Sequence, residues 1–226
     1  MSAPNCSPNS VMLTSKDTKA SVAFYRDVLG FEVSEAWPDE NKPMWCNLTL
    51  DGQSIMVGDA PPEGEACGDP SEASTAFSNA HFDAWRKASQ PGAGISMYLM
   101  VDDVDAYHDR VKGNGAAPAY EPKTQFYGIR DFPVSDPDGY SLVFYSPAKL
   151  ESCQSCGMPL ADAEPGQMYC QYCTTDNGQL KSWDEVFEGT VTGFFMGMQK
   201  MERGPAEAAA KEHLTKMPAW ISRAGV

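Results

Sequence analysis

Apolar residues alternate with polar ones in SVMLTSKD, residues 10–17, and again in SMYLMVDD, residues 96–103, the signature of a strand with one buried face. Each stretch ends in an aspartate, Asp17 or Asp103, placed to cap a helix by accepting backbone N–H bonds of its first turn. The period then lengthens. TKASVAFYRDVLGF predicts a helix with Ala20, Ala23, Phe24 and Val28 on its inner face and Gly30 just past its end. VDAYHDRVKGNG predicts a second helix with Val104, Tyr107 and Val111 inward, ended by Gly113 or Gly115. Each helix leads into alternating segments broken by Asp-Gly, residues 44–59 and 127–146, and Asp-Gly between such segments is a strong hairpin signal.

The order of strand, helix and about three strands therefore occurs twice. Asp17 and Asp103 are 86 positions apart, Gly52 and Gly139 are 87 apart, and so close an agreement points to an internal repeat. The expected organisation is a domain over residues 1–148, with modules at about 8–60 and 94–148 and a linker at 61–93, followed by a separate segment at 149–226. The linker is long for a compact domain and carries a short helical pattern around 79–88, fitting a lid, a dimer contact or a plain surface excursion.

Composition narrows the partners. The chain has 226 residues, 42% of them hydrophobic, enough for a substantial core. Its formal net charge of -14 repels phosphates, which argues against nucleic acid and against anionic membrane surfaces. The first residues lack a basic segment followed by an apolar run, and no stretch approaches the ~18 apolar residues of a membrane span. The chain reads as cytoplasmic. Its 7 cysteines, four in metal spacing and Cys6, Cys46 and Cys67 scattered, suit a reducing compartment better than a disulfide framework.

KDTKASVAFYRDVLGFEV and YGIRDFPVSDPDGYSLVFYSP resemble the vicinal oxygen chelate superfamily, the glyoxalase, bleomycin-resistance and extradiol dioxygenase group, over roughly residues 8–148. The resemblance implies an α+β fold in which paired βαβββ modules form a curved mixed sheet around a cleft. Proteins of this type are commonly dimers, so a homodimer is expected. In metal-dependent members it also implies His or Glu ligands on the first and last strand of each module. Those positions here are Ser10 and Met56 in the first module and Ser96 and Val143 in the second. Serine, methionine and valine do not bind a divalent ion that needs imidazole nitrogen or carboxylate oxygen. The 3 histidines fall elsewhere, His81 in the linker, His108 in the second helix and His213 in the tail, and are expected to be ordinary surface or half-buried side chains.

The two-residue strand period assigns neighbours to the cleft face: Met12 beside Ser10, Ser54 beside Met56, Tyr98 beside Ser96, and Ser141 and Tyr145 flanking Val143. Trp45, Phe126, Tyr127 and Arg130 lie near the same strands, Arg130 as an anion or stacking contact. The binding set is thus Met12, Trp45, Met56, Tyr98, Phe126, Tyr127, Arg130 and Tyr145, with no obvious general base, which suits holding a small, partly aromatic molecule. Catalysis as a metal-dependent lyase, isomerase or dioxygenase is the alternative, and it requires a metal site other than these positions.

CQSCGMPLADAEPGQMYCQYC changes the character of the chain. Two CxxC pairs, Cys153 with Cys156 and Cys170 with Cys173, are separated by 13 residues, so two tight knuckles complete a tetrahedron of thiolates. Four protein ligands leave no open coordination position, and the metal is expected to be structural, one zinc per chain, with iron the alternative. With YCQYCTTDNGQL and EHLTKMPAWISR the segment resembles an uncharacterised zinc-ribbon family over about 153–223. Ser182 and Glu185 form a capping box, and Val186, Thr190, Phe194, Met198 and Met201 recur at helical spacing as a stripe expected to pack on its own domain. AEAAAKEHLTKM predicts a second helix. A ribbon with two helices also fits recruitment of a protein partner, with the cleft vestigial.

Overall fold

The computed structural model describes residues 11–61, 72–89 and 91–221, and of 72–79 the backbone only. Ser10, Cys6 and Cys67 lie outside the described residues. The chain divides into two compact units, one of residues up to Pro122 with Phe132–Tyr145, the other of Lys123–Asp131 with Ser146 onward. No helix among the described residues is long and apolar enough to cross a membrane.

Along the chain the repeat becomes β1 (Val11–Ser15), α1 (Thr18–Ala23), β2 (Glu32–Trp37), β3 (Trp45–Leu50) and β4 (Gln53–Asp59). The helix α2 (Glu72–Lys87) follows, then β5 (Ser96–Met100), α3 (Val104–Gly113), β6 (Lys123–Thr124), which belongs to the second unit, β7 (Ile129–Ser135) and β8 (Ser141–Pro147). Two four-stranded mixed sheets result, in the orders β1-β4-β3-β2 and β5-β8-β7-β6, with β1 parallel to β4 and β5 parallel to β8. The shared order is the repeat made physical. The unit boundary falls within β7 and β8.

The expected caps form. Asp17 accepts from the N–H of Ala20, and Asp103 from those of Asp105 and Ala106. The hairpin turn holds Asp51 and Gly52 at φ of 46° and 78°, the left-handed pair that a two-residue turn between twisted strands requires. The face of the first helix differs from its expected register. After α1 the backbone widens into a π-helical stretch, Phe24–Leu29, and Thr18, Ser21, Val22, Tyr25 and Leu29 are the buried positions. Ala20 is exposed and Phe24 and Val28 half-buried: the buried set recurs 3, 4, 7 and 11 positions after Thr18, so the helical period holds and its inner face is turned by about one residue from the expected one. In α3, which stays α-helical, Val104, Tyr107 and Val111 are buried as expected, and so is His108, 2% exposed and edge-on to Phe132.

One apolar core joins both modules, with Leu13, Leu29, Leu48, Val57, Leu142 and Phe144 at its centre. Buried polar bonds tie the modules across it. Tyr25 donates its hydroxyl to Asp136 (2.9 Å), Ser21 to Asp138 (3.0 Å) and Tyr107 to the carbonyl of Leu29 (2.8 Å). Burial raises the Asp136 carboxyl above its ordinary range despite bonds from Tyr140, Tyr25 and Asp138 that favour its charge. The linker helix runs over 72–87, well beyond the expected 79–88 at its N-terminal side, and Trp85 donates to the Tyr140 hydroxyl (3.2 Å).

The second unit holds the cysteine loops and two helical stretches. The first, α4 (Trp183–Gly189), starts at the expected Ser182–Glu185 capping box and continues as a π-helix, Thr190–Met198. The second is α5 (Arg203–Leu214). The expected stripe is corrected here: Val186, Val191 and Phe195 are buried, whereas Phe194 is 43% and Met198 73% exposed. The cause is the π-helix, which carries the inward face from 186 to 191 rather than to 190.

Candidate functional site

The outward side chains of the first sheet alternate with the core set of Cys46, Leu48, Ile55 and Val57, as a period of two demands. Met12 pairs with Met56 across the parallel ladder, and Met56 with Asn47 across the antiparallel one. Trp45 stands opposite Gly58, and a β-carbon at Gly58 would lie 2.7 Å from Met12 Cε and 3.3 Å from Trp45 Cδ1. The glycine therefore lets Met12 and Trp45 converge over the strand. Beside this patch runs a polar chain: Ser54 donates to Asn47 Oδ1 (2.7 Å), and Asn47 Nδ2 donates to Ser34 Oγ (2.7 Å). The sequence reading missed Asn47 and Ser34. The signal for Asn47 was available, since it lies two residues beyond Trp45 and so on the same face.

On the second sheet the register sets Ser96 against Ser141, Tyr98 against Val143 and Met100 against Tyr145. Tyr98 and Tyr145 meet edge-on with ring centroids 6.0 Å apart. Tyr98 is 53% exposed and Met12 45%, so both offer apolar surface to solvent. Val143 is buried. The side chain of Gln53 bonds both backbone groups of Met100 (2.8 and 3.0 Å), which ties the first module to the end of β5.

The expected binding residues fall in three groups. Met12, Trp45 and Met56 come together on one sheet of the first unit, and Tyr98 and Tyr145 on the other. Phe126, Tyr127 and Arg130 belong to the 123–131 stretch of the second unit, where Phe126 and Tyr127 meet edge-on at 5.1 Å. In the same stretch the buried Asp131 accepts from Gln125 Nε2 (2.7 Å). A cavity of about 670 Å³ in the first unit lies elsewhere, lined by Glu32, Asp51, Asp102, Asp103, Tyr107 and Arg110 among others, and shares none of the eight expected residues.

The histidines also find their places. His81 lies in α2, and His108 has Asp109 and Glu121 carboxylates 3.3 and 3.2 Å from its ring nitrogens. The expectation of a surface or half-buried His108 is corrected, because its position on α3 turns it onto Phe132. His213, half-buried in α5, bonds the carbonyl oxygen of Cys156 at 2.8 Å.

The four cysteines of the second unit form a metal-competent cluster. Their sulfurs all lie within 4.8 Å of one another, and Cys156 and Cys170 are 3.6 Å apart. A tetrahedron with zinc–sulfur arms of ~2.3 Å needs sulfurs about 3.8 Å apart. A disulfide needs ~2.05 Å, and all four thiols are free. The donor set therefore fits zinc. Hydrogen bonds from Cys156 and Cys173, with the N–H of Cys170, hold Cys153 far below an ordinary thiol. Cys156, through its hydrogen bond to Cys153, is pushed up to about 12. Gly157 closes the first knuckle at φ of 76°, where a β-carbon would sit 3.3 Å from the His213 ring. The local turn and the tertiary contact both require glycine there.

Two family models match the chain. The family model of the Glyoxalase/Bleomycin resistance protein/Dioxygenase superfamily matches residues 7–144, and that of the family described as "Putative zinc ribbon domain" matches residues 152–221. No curated protein matches the chain. Similar solved structures include TioX from Micromonospora sp. ML1, 21% identical over 64% of this chain and 98% of that chain, with a TM-score of 0.44. TnmS3, an antibiotic binding protein from Streptomyces sp. CB03234, is 21% identical over 65% of this chain and 100% of its own, with a TM-score of 0.45. A glyoxalase/bleomycin resistance protein/dioxygenase family enzyme from Burkholderia phytofirmans PsJN is 21% identical over 60% and 94%, with a TM-score of 0.44.

Proposed function

Because the chain belongs to the Glyoxalase/Bleomycin resistance protein/Dioxygenase superfamily and carries a zinc ribbon domain C-terminal to that match, we propose that it is a small-molecule binding protein without a catalytic metal in the first domain. One observation carries the reading. The positions where metal-dependent relatives place His or Glu hold Met56, Ser96 and Val143, with Ser10 at the fourth, and the outward side chains beside them are Met12, Trp45, Tyr98 and Tyr145. Thioether and aromatic surface interspersed with Ser54 and Asn47 favours a partly aromatic ligand held by stacking and a few hydrogen bonds.

The exposed Val11, Ile95 and Met100 also give a second copy apolar surface to cover, so the working form is a homodimer. The ribbon binds one structural zinc through Cys153, Cys156, Cys170 and Cys173. The free thiols suit a reducing compartment, the cytoplasm.

A thermal-shift screen of aromatic small molecules, with metal analysis of the same protein, tests the reading. A hit should raise the Tm of the parent protein, and Tyr98→Ala with Trp45→Ala should abolish the shift while leaving the unliganded Tm close to the parent's. A second tightly bound ion that survives substitution of the four ribbon cysteines would overturn it in favour of a metal-dependent enzyme. A first unit indifferent to every ligand would favour the ribbon as a partner-recruiting module.

A further inference from the structure

We infer that the C-terminal segment from His213 to Trp220 is a metal-dependent latch on the first cysteine knuckle, so that loading the ribbon with metal and seating this segment are one event. The inference rests on the reading that the four cysteines hold a metal, and it assigns a role to residues that are not ligands.

Three successive carbonyls of the CQSC knuckle are each claimed by a different donor from this segment. The backbone N–H of Ala219 donates to the carbonyl of Gln154 (3.0 Å), and Trp220 Nε1 donates to that of Ser155 (3.0 Å). His213 Nε2 reaches the carbonyl of Cys156 (2.8 Å). The remaining knuckle carbonyl, of Cys153, accepts the N–H of Gly157 within the turn (2.8 Å). Every carbonyl of the four-residue knuckle thereby has a hydrogen-bond partner, and the Cys170 N–H points at Cys153 Sγ (3.3 Å). A donor on each carbonyl polarises its peptide and strengthens the N–H on the other side of the same unit, which favours thiolate charge nearby.

Apolar packing holds the same segment against the cysteines. Trp220 and Leu214 are fully buried in the same small cluster as Cys153, Cys170 and Cys173, and Trp183 meets Trp220 edge-on at 5.3 Å. Only a knuckle held in its turn presents three carbonyls at once to donors more than fifty residues away in sequence. A further polar atom is buried within the knuckle: Ser155 Oγ is fully buried and without a hydrogen-bond partner. With the sulfurs released, the knuckle loses its single conformation, the three bonds lose their common register, and the tryptophan pair is freed.

Hydrogen exchange of the full-length protein, zinc-loaded and after zinc removal by a chelator, reads the latch directly. Exchange across residues 213–221 should accelerate at least about tenfold on zinc removal, the factor expected from loss of even one buried hydrogen bond. Unchanged protection there would overturn the latch. Variants give a second arm. Trp220→Phe keeps the ring and removes the donor, and it should speed zinc transfer to a chromogenic chelator about tenfold. His213→Leu should do the same and His213→Gln, which restores an N–H donor, should recover most of the loss. Cobalt spectra of all three should keep the four-thiolate absorption. Release rates within twofold of the parent for both Trp220→Phe and His213→Leu would overturn the latch while leaving the metal site intact. Failure of the parent to bind zinc or cobalt at all would instead overturn the ribbon's metal reading.

Discussion

The first unit gathers Leu13, Leu29, Leu48, Leu142 and Phe144 into one continuous apolar core, whereas the second divides its apolar side chains between a cluster around the cysteines and a smaller one of Val191, Phe195, Ala206 and Ala210. Both units contain helices of similar length, but they differ in what makes a helix stay where it is. In the first, two sheets give each helix a broad apolar surface, and buried polar bonds such as Tyr25 to Asp136 select among packings that are already favourable. In the second, the area available is too small to offset chain entropy, and a metal tetrahedron with a set of backbone-directed hydrogen bonds takes over that role. The stronger core has a functional consequence. A sheet anchored on one face can leave Met12 and Tyr98 exposed and Trp45 half-buried on the other at little cost in stability.

The sharpest way to break this contrast is to remove the metal. Chelation or Cys170→Ser should unfold residues 152–221, since structural zinc contributes on the order of 10–16 kcal/mol of apparent binding energy to such modules. Hydrogen exchange should show that loss confined to the second unit, with amides of Leu13, Leu48 and Leu142 still protected. Simultaneous loss in both units would mean that the two do not stand on separate foundations. The converse experiment is Phe144→Ala, at a fully buried ring, which should cost about 3–5 kcal/mol in denaturant unfolding while zinc content stays unchanged.

A smaller effect isolates the polar ties. Tyr25→Phe leaves the buried Asp136 oxygen without its donor and should cost about 1–3 kcal/mol. It should also change the pH profile. Burial, with Asp136 next, raises the Tyr25 hydroxyl well above its ordinary value of 10.0, so the unfolded chain ionises first. The contribution of Tyr25 is then fully present below about pH 10 and is lost as the pH rises beyond it, so alkaline unfolding should steepen in the parent relative to Tyr25→Phe. Tyr107 and Tyr140 are shifted the same way by burial and should supply the remaining slope.

The smallest effect tests the register of the π-helix. Val191→Ala, at a fully buried site, should cost roughly 2 kcal/mol, whereas Met198→Ala, largely exposed, should stay within about 0.5 kcal/mol. Equal losses at both would restore the α-helical stripe. This pair also marks the limit of what periodicity can read. Strand faces were legible because a strand has one period, and Cys46, Leu48, Ile55 and Val57 fall on the side that alternation assigns them. Helix faces were legible in α3, which keeps 3.6 residues per turn, and misplaced at Thr190–Met198, where the turn widens, while over Thr18–Leu29 the period held and the inner face lay about one residue away from the one expected. The choice between α and π turns is made by packing against neighbours, which composition does not announce.

The candidate site divides along the same line. Met12, Trp45, Met56, Tyr98 and Tyr145 could be placed by counting along their strands, but the approach of Met12 and Trp45 at Gly58 depends on which strands pair and in what register. The sequence by itself determined the repeat, the capping aspartates, the hairpin turns and the four-thiolate spacing, because each of these is written in residues a few positions apart. Tertiary structure alone decided the burial of His108, the widened helical turns and the engagement of the CQSC carbonyls by His213 and Trp220. Those last bonds join groups 57 and 65 residues apart, and no local period can report a contact that exists only once the chain has folded back on itself.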